Sequence, residues 1–208
     1  MEKFVITISR RCGSGAITVG RILADNLGIH MYDREILRLA SDDSGINEAY
    51  FQKADGEVKR SLLYRVSRNV YKGELIPPED DNFLSNENLF NYQAKVLNEL
   101  SANESFVVIG RAADYVLRGR PNIFSVFLYA PDEVCIQHEI QTMNLTYDEA
   151  VRHIKKRNRF RRGYCAHHTG RTWEDMRNYD LCLNTAALGY EKTARLIEEY
   201  VRLKMGEG

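Results

Sequence analysis

Short apolar segments alternate with longer segments of helical periodicity along the chain. Residues 4–9 are mostly β-branched or apolar and end at polar turn residues, a pattern typical of a buried strand. Apolar positions then recur at helical spacing from Val19 to Leu27, and Gly28 follows where helices commonly end. The first unit is therefore predicted to be a strand, a glycine-containing loop and a helix.

Further strands are predicted at 29–32, 106–109 and 123–129, with a weaker candidate at 181–183. Helix signals lie between and after them. Ser85 can cap a helix, Pro131 suits a helix start, and residues 146–149 match a capping box; a last helix is predicted over 190–204. Strands alternating with helices predict an α/β fold with a doubly wound parallel sheet.

The segment 46–104 differs from this pattern because it is helical, polar and without a clear strand. We interpret it as a helical insertion. A break is predicted over 73–84, where Pro77-Pro78 and an acidic run disfavour regular structure.

The composition of the chain limits the classes of function that it can have. The 208 residues fit a single domain, 1–208, and include 29 basic and 29 acidic residues, so no global field favours nucleic acid or an anionic membrane. No apolar stretch is long enough to span a bilayer, and the N-terminus lacks the pattern of a secretory signal. Four cysteines without regular spacing favour reduced thiols. We expect a cytoplasmic protein with no nucleic-acid or membrane partner.

A zinc site is an alternative role for one of the cysteines and two histidines. Cys165, His167 and His168 are potential ligands, but adjacent histidines do not readily point at one ion, and the sequence supplies no evident fourth ligand.

The loop after the first strand carries Gly13, Ser14 and Gly15, where backbone N–H groups and the positive end of a helix can bind phosphate. A tight turn explains the same glycines. The strict phosphate-loop pattern is absent, because Ala16 occupies the place of its lysine. Thr18 is left as the candidate hydroxyl near Mg²⁺.

Two arginines beside this loop, Arg10 and Arg11, can restore the missing positive charge, since guanidinium binds phosphate well. Ordinary surface exposure is the alternative interpretation for both. If one of them replaces the lysine, its removal should reduce turnover more than stability.

A second concentration of charge lies at 155–162, where six of eight residues are basic. Helical spacing places Lys155, Arg159 and Arg162 on one side and Arg157 and Arg161 on another. Arginines of a lid that closes over a nucleotide would neutralise phosphate oxygens, whereas a solvated helix face is the simpler alternative.

Two further polar positions follow predicted strands at the edge where doubly wound sheets bind ligands. Arg111 can hold an acceptor phosphate there, or it can form an ion pair with Asp114. Asp33 can contact the acceptor, cap the following helix, or do both.

Taken together, these blocks resemble the cytidylate kinase-like family, within the nucleoside monophosphate kinases of the P-loop NTP hydrolase fold. The motifs, in chain order, are Ile8-Ser9-Arg10, Gly13-Ser14-Gly15, Val19-Gly20-Arg21, Leu27-Gly28, Tyr32-Asp33-Arg34-Glu35, Ile109-Gly110-Arg111-Ala112-Ala113-Asp114 and Asn178-Tyr179-Asp180-Leu181-Cys182-Leu183-Asn184-Thr185. The resemblance runs the length of the chain.

The resemblance implies a five-stranded parallel core, an acceptor-binding insertion, a lid at about 144–172, and phosphoryl transfer from ATP with Mg²⁺ to a nucleoside monophosphate, CMP or dCMP first. It implies roles that cover three groups of residues. The residues that would bind the donor and Mg²⁺ are Gly13, Ser14, Gly15, Ala16 and Thr18, with Asn184 and Thr185 near the adenine. The residues that would bind the acceptor are Asp33, Arg34 and Arg111. Catalytic positive charge would come from Arg157 and Arg161, together with Arg10 and Arg11.

The chain departs from typical cytidylate kinases at three places. It lacks the loop lysine at Ala16, has Ala112 where an aspartate follows the Gly-Arg pair, and lacks the carboxylate that those kinases carry in the lid near the position of Asn158. Three hypotheses follow: a nucleoside monophosphate kinase, a kinase of another small anionic acceptor, and a nucleotide or phosphate sensor without catalysis.

Overall fold

A computed structural model describes residues 2–54, 75–76, 78, 80, 82 and 84–206. Five strands form one parallel sheet in the order β2-β3-β1-β4-β5. The strands are β1 Val5–Arg10, β2 His30–Tyr32, β3 Phe106–Ile109, β4 Ile123–Tyr129 and β5 Leu181–Asn184. The predicted fold class, a doubly wound five-stranded α/β sheet, is confirmed.

Helices cover both faces of the sheet. In the described residues they are α1 Ala16–Leu27, α2 Glu35–Ser44, α3 Glu48–Ala54, α4 Asn86–Asn103, α5 Ala113–Val116, α6 Asp132–Met143, α7 Tyr147–Thr169, α8 Thr185–Leu188 and α9 Tyr190–Met205, with a 3₁₀ turn at Met176–Asn178. None of these helices is long and apolar enough to cross a membrane.

The alternation of strand side chains divides the core into two layers. Ile6 and Ile8 of β1 face a cluster that contains apolar residues of α1 and α9. Val5 faces the opposite cluster, which is built with α2, α3, α4 and α5. The connection after β1 therefore leads to one face and the connection after β3 to the other, which leaves a crevice at the carboxyl ends of these neighbouring strands.

Most predicted local signals are confirmed. Gly28 adopts the left-handed conformation at the end of α1, the Ser85 hydroxyl accepts the Asn88 N–H, and Thr146 and Glu149 form the capping box. The cap predicted for Asp33 is wrong: the residue that precedes α2 is Arg34, and no side chain makes a capping hydrogen bond there.

The helical insertion predicted over 46–104 contains α3 and α4. Its middle, and half of the break predicted over 73–84, lie outside the described residues. The extent of the insertion and its acceptor-binding role therefore stay predictions.

Candidate functional site

A cavity of about 130 Å³ opens at the carboxyl edge of the sheet. The ends of β1, β2 and β3 supply one wall, and α7 supplies the facing wall. The lining residues are Ser9, Arg10, Ile17, Asp33, Arg34, Gly110, Arg111, Ala112, Asp114, Arg157, Phe160, Arg161, Tyr164, Cys165, Trp173 and Tyr179. Five of them are arginines and two are aspartates, so a cavity in a chain of zero net charge is locally cationic.

The glycine loop lies between β1 and α1, beside this cavity. Gly13 has φ 77°, and a Cβ built on it would lie 2.5 Å from the Cys135 carbonyl oxygen and 2.7 Å from its Cα atom, so only glycine lets the loop approach α6 this closely. Gly15, at φ 71°, is the residue before α1, whose N-terminus carries the positive end of the helix dipole. The predicted strand, loop and helix are thus present.

Helix α7 is attached to the loop by two hydrogen bonds. The buried Asn158 amide oxygen accepts the Cys12 N–H at 2.8 Å, and the Arg161 guanidinium donates to the Arg10 carbonyl at 3.2 Å. The predicted lid segment therefore contacts the glycine loop directly, and Asn158 replaces the expected carboxylate with a loop-binding amide. Closure of this segment over a ligand stays a prediction.

The two sides of α7 differ as their spacing predicted. Arg157 and Arg161 are half-buried and line the cavity. Lys155, Arg159 and Arg162 are exposed, and Arg162 pairs with Glu174 at 2.7 Å. The first pair therefore faces the site and the second row faces solvent.

The two arginines beside the loop also have different surroundings. Arg10 lines the cavity, and its guanidinium occupies the space over Gly110 that a side chain would fill. Arg11 instead points toward α6, where it pairs with Asp132 at 2.8 Å and lies 3.8 Å from Glu174. Of the two candidates, Arg10 is the one that the fold brings to the cavity.

The turn after β3 is held in an uncommon backbone conformation. Gly110, Arg111 and Ala112 have φ values of 76°, 62° and 51°. Left-handed conformations at non-glycine residues cost free energy and are found where the surrounding structure enforces them, often at functional sites. This turn places Arg111, which is 9% exposed, in the cavity lining.

Asp114, which follows two residues later, is the buried carboxyl of the cavity. Burial raises its pKa from an ordinary 3.8 to about 6, and the Arg171 guanidinium at 4.0 Å opposes that rise. Ser9 supplies a side-chain hydrogen bond. Asp114, which was predicted as an alternative ion-pair partner of Arg111, thus forms an ion pair with Arg171.

Four further lining residues are aromatic, and no role in the site was predicted for them from the sequence. Phe160 and Tyr164 come from α7, while Trp173 and Tyr179 pack against Phe127 of β4 with ring centroids 5.5 and 5.0 Å away. An aromatic wall beside arginines suits a ligand with both a planar and an anionic part. The spacing of Phe160 and Tyr164 beside Arg157 and Arg161 on one helix was the signal that could have found this wall.

The acceptor residues predicted at the second strand are placed in the site. Asp33 and Arg34 follow the end of β2 and line the cavity together with Arg111. All three predicted acceptor residues therefore share one cavity, although their roles in binding stay predictions.

Several residues that were predicted to bind the phosphoryl donor or Mg²⁺ lie outside the cavity lining. Ser14 is 1% exposed and its hydroxyl donates to the Arg11 carbonyl at 2.9 Å. Ala16 is 4% exposed and packs in the core, whereas Thr18 is exposed on α1. Their contacts with donor phosphates or Mg²⁺ are untested predictions.

The pair predicted to lie near an adenine also makes intramolecular contacts. The Thr185 hydroxyl, 2% exposed, donates to the Ser14 carbonyl at 2.9 Å and so supports the loop from behind. Asn184 accepts the Ala186 N–H and caps α8. Adenine contacts by these two residues stay predictions.

The weak zinc candidate near the end of α7 is not assembled. His168 stacks on Phe90 with ring centroids 4.3 Å apart, His167 Nε2 lies 3.2 Å from Glu87 Oε1, and Cys165 contacts Thr169. Burial lowers the pKa of His168 to about 3. The three side chains thus have separate partners in the described structure.

Comparison with known proteins gives matches over most of the chain. The model of the cytidylate kinase-like family matches residues 5–187. A cytidylate kinase from Pyrococcus horikoshii is 24% identical over 186 residues, which cover 89% of this chain and 81% of that protein.

Two solved structures show the same fold. An uncharacterized protein from Eubacterium ventriosum has a TM-score of 0.70 at 20% identity, with 96% of this chain and 98% of that chain covered. The protein TT1252 from Thermus thermophilus has a TM-score of 0.51 at 19% identity, with 98% and 99% covered.

Proposed function

The chain belongs to the cytidylate kinase-like family, and from this membership we propose that it transfers a phosphoryl group from ATP to a nucleoside monophosphate. Family and fold together support a kinase of a nucleotide or a similar small substrate. CMP or dCMP is the first acceptor to test, because the matched relative from Pyrococcus horikoshii is named a cytidylate kinase.

One observation carries the proposal: five arginines from four separate segments converge on one cavity at the sheet edge. Phosphoryl transfer needs little covalent chemistry from the protein and depends on positioning and on neutralising phosphate charge. Arginine serves both needs because its guanidinium binds phosphate oxygens in pairs.

The residues present fit a bound ATP and Mg²⁺. ATP supplies the phosphoryl group that is transferred. Arg10, Arg157 and Arg161 line the cavity and would hold the donor phosphates beside the N-terminus of α1. Asp33 and Asp114 carry carboxylate oxygens of the kind that Mg²⁺ prefers.

The acceptor would occupy the opposite side of the same cavity. Arg34 and Arg111 would bind its phosphate, and the aromatic wall would contact its base or sugar. Arg10, whose guanidinium lies against Gly110, is our candidate for the charge that Ala16 does not supply.

A nucleotide or phosphate sensor is the second candidate. It is favoured by Ala16, since the chain lacks the usual loop lysine and that side chain is buried in the core. The predicted binding surface would be the same, but no transfer would follow.

A coupled assay with MgATP, run with each nucleoside monophosphate and with other small anionic acceptors, distinguishes the two. We expect ADP release above the enzyme-free rate, with the highest kcat/KM for CMP or dCMP. ATP binding by calorimetry without turnover of any monophosphate would contradict the kinase proposal and favour a sensor. Turnover of only a non-nucleotide acceptor would move the proposal to another small anionic substrate.

A further inference from the structure

Three potential metal ligands meet directly behind the glycine loop, outside the cavity. They are Cys12 of the loop, Glu139 of α6 and His153 of α7, and their ligand atoms all lie within 4.8 Å of one another. Each comes from a different segment, so the cluster forms only when the loop and both helices pack together.

The cluster is mostly shielded from solvent. Cys12 is 6% and Glu139 is 7% exposed, and the His153 side chain is 29% exposed. A buried carboxylate is costly unless nearby groups supply positive charge or hydrogen bonds. Glu139 faces two imidazoles, with His153 Nε2 3.4 Å from Oε2 and His138 Nδ1 3.4 Å from Oε1. A divalent cation among these side chains would neutralise the carboxylate directly.

The separation between the nitrogen and oxygen ligands suits a small tetrahedral ion, and the Cys12 sulfur lies within 4.8 Å of both. Zinc bonds of about 2.0–2.2 Å to nitrogen and oxygen place two such ligands roughly 3.4 Å apart. The distance between His153 Nε2 and Glu139 Oε2 is 3.4 Å. A thiolate, an imidazole and a carboxylate together favour zinc over magnesium or calcium, which prefer oxygen ligands only.

The neighbouring His138 completes the surroundings of the carboxylate. Its Nδ1 is buried, has no hydrogen-bond partner among the described residues, and lies beside the second Glu139 oxygen. Ligating carboxylates are commonly oriented by a hydrogen bond to their outer oxygen. His138 is placed to make that contact.

We propose that Cys12, Glu139 and His153 bind one Zn²⁺ ion, with the fourth tetrahedral position open to water. The site goes beyond phosphoryl transfer because none of its ligands lines the cavity. His153, Arg157 and Arg161 recur every four residues along α7. An ion held by His153 and Cys12 would therefore fix the rotation of α7 that presents both arginines to the cavity.

Binding must displace the Cys12 proton, since the thiolate is the metal ligand. Zinc affinity is therefore expected to increase with pH and to be accompanied by proton release.

The full chain, freed of metal with a chelator and kept without nucleotide, tests the proposal by titration with Zn²⁺ in a calorimeter. We expect one equivalent to bind. Co²⁺ in its place should give the thiolate charge-transfer absorption and the visible bands of a tetrahedral site. Cys12→Ser should abolish the charge-transfer band, and Glu139→Gln or His153→Gln should weaken Zn²⁺ binding at least tenfold.

Matched controls alter the same side-chain types elsewhere. Cys165→Ser, Glu133→Gln and His30→Gln should leave stoichiometry and affinity unchanged. Circular dichroism would verify that each variant is folded, and the partly exposed His153 gives a variant that does not depend on replacing a buried loop residue. No Zn²⁺ binding, or binding unchanged in Cys12→Ser and His153→Gln, would overturn the proposal. Neither result bears on the kinase assay.

Discussion

At the scale of single residues, the cavity depends on a turn whose backbone adopts left-handed conformations that few residues tolerate. Three successive positive φ angles follow β3, and two of them belong to Arg111 and Ala112. The conformational cost, on the order of 1 kcal/mol or more for each non-glycine residue, is offset by packing around them. The same turn leaves room above Gly110 for the Arg10 guanidinium.

Replacing Gly110 tests this arrangement. A Cβ at this position meets the Arg10 guanidinium, so Gly110→Ala should displace it and lower kcat/KM by about tenfold to a hundredfold. Gly119→Ala is the matched control, because its φ of 78° is equally unfavourable for alanine but nothing lies within 4 Å of the added Cβ. Both variants should lose about 1 kcal/mol of stability. Equal activity in the two would contradict the role of Arg10.

Asp114 should make stability depend on pH. Its pKa in the folded protein, about 6, lies above its ordinary 3.8, so the native state binds the proton more tightly than the unfolded state does between these values. The free energy of unfolding should therefore fall as pH rises from about 4 to about 6, by up to about 3 kcal/mol.

Denaturant unfolding between pH 4 and pH 7 measures this dependence. Asp114→Asn should remove the fall, so the difference in unfolding free energy between variant and wild type should grow in favour of the variant as pH increases. Asp25→Asn, an exposed change on α1, should leave the wild-type slope in place. A slope unaltered by Asp114→Asn would show that another group is responsible.

At the scale of elements, α7 combines three contacts on one helix. It carries the amide that accepts the Cys12 N–H, the arginine that donates to the Arg10 carbonyl, and the two arginines and two aromatic rings of the cavity wall. Its 23 residues begin at a capping box and end at Gly170 in the left-handed conformation. The orientation of the helix therefore decides which basic residues reach the site.

Alanine substitutions along α7 separate site-facing charge from solvent-facing charge. Arg157→Ala should lower kcat about a hundredfold or more, because it removes a preorganised charge partner from the transferred phosphoryl group. Arg159→Ala, two residues away and exposed, should keep nearly full activity. Equal losses at both positions would indicate that the basic segment acts only through its overall charge.

At the scale of the whole molecule, opposite charges balance while one cavity stays cationic. The chain has 29 basic and 29 acidic residues, yet the cavity lining has five arginines and two aspartates. An anionic ligand should therefore bind this cavity specifically, with little general attraction to polyanions.

Ligand-dependent thermal unfolding tests this distribution. CMP at about a hundred times its Kd should stabilise the protein by about 2.7 kcal/mol, or several degrees in Tm. Cytidine at the same concentration as CMP should give a much smaller shift in Tm, because it lacks the phosphate that Arg34 and Arg111 would bind. Added salt should reduce the stabilisation by CMP. Identical shifts for CMP and cytidine would exclude phosphate recognition by these arginines.

Much of the fold and part of the site could be predicted from local pattern. The strands, most helix ends and the glycine loop were recognised because periodicity, caps and turn residues act over a few neighbouring positions. The Asp33 cap was predicted wrongly because a suitable side chain does not ensure the backbone geometry of a cap. Arg111 was placed at the ligand edge because parallel strands all end there.

What the sequence by itself determined is the α/β architecture, the family motifs and the set of arginines available for phosphate binding. Only the tertiary structure decided which of them reach one cavity. Arg10 and Arg11 are adjacent, yet Arg10 lines the cavity while Arg11 pairs with Asp132, 121 residues away. The cluster of Cys12, Glu139 and His153 was equally hidden. Such partners are set by the packing of distant segments, whereas sequence patterns report mainly on neighbours along the chain.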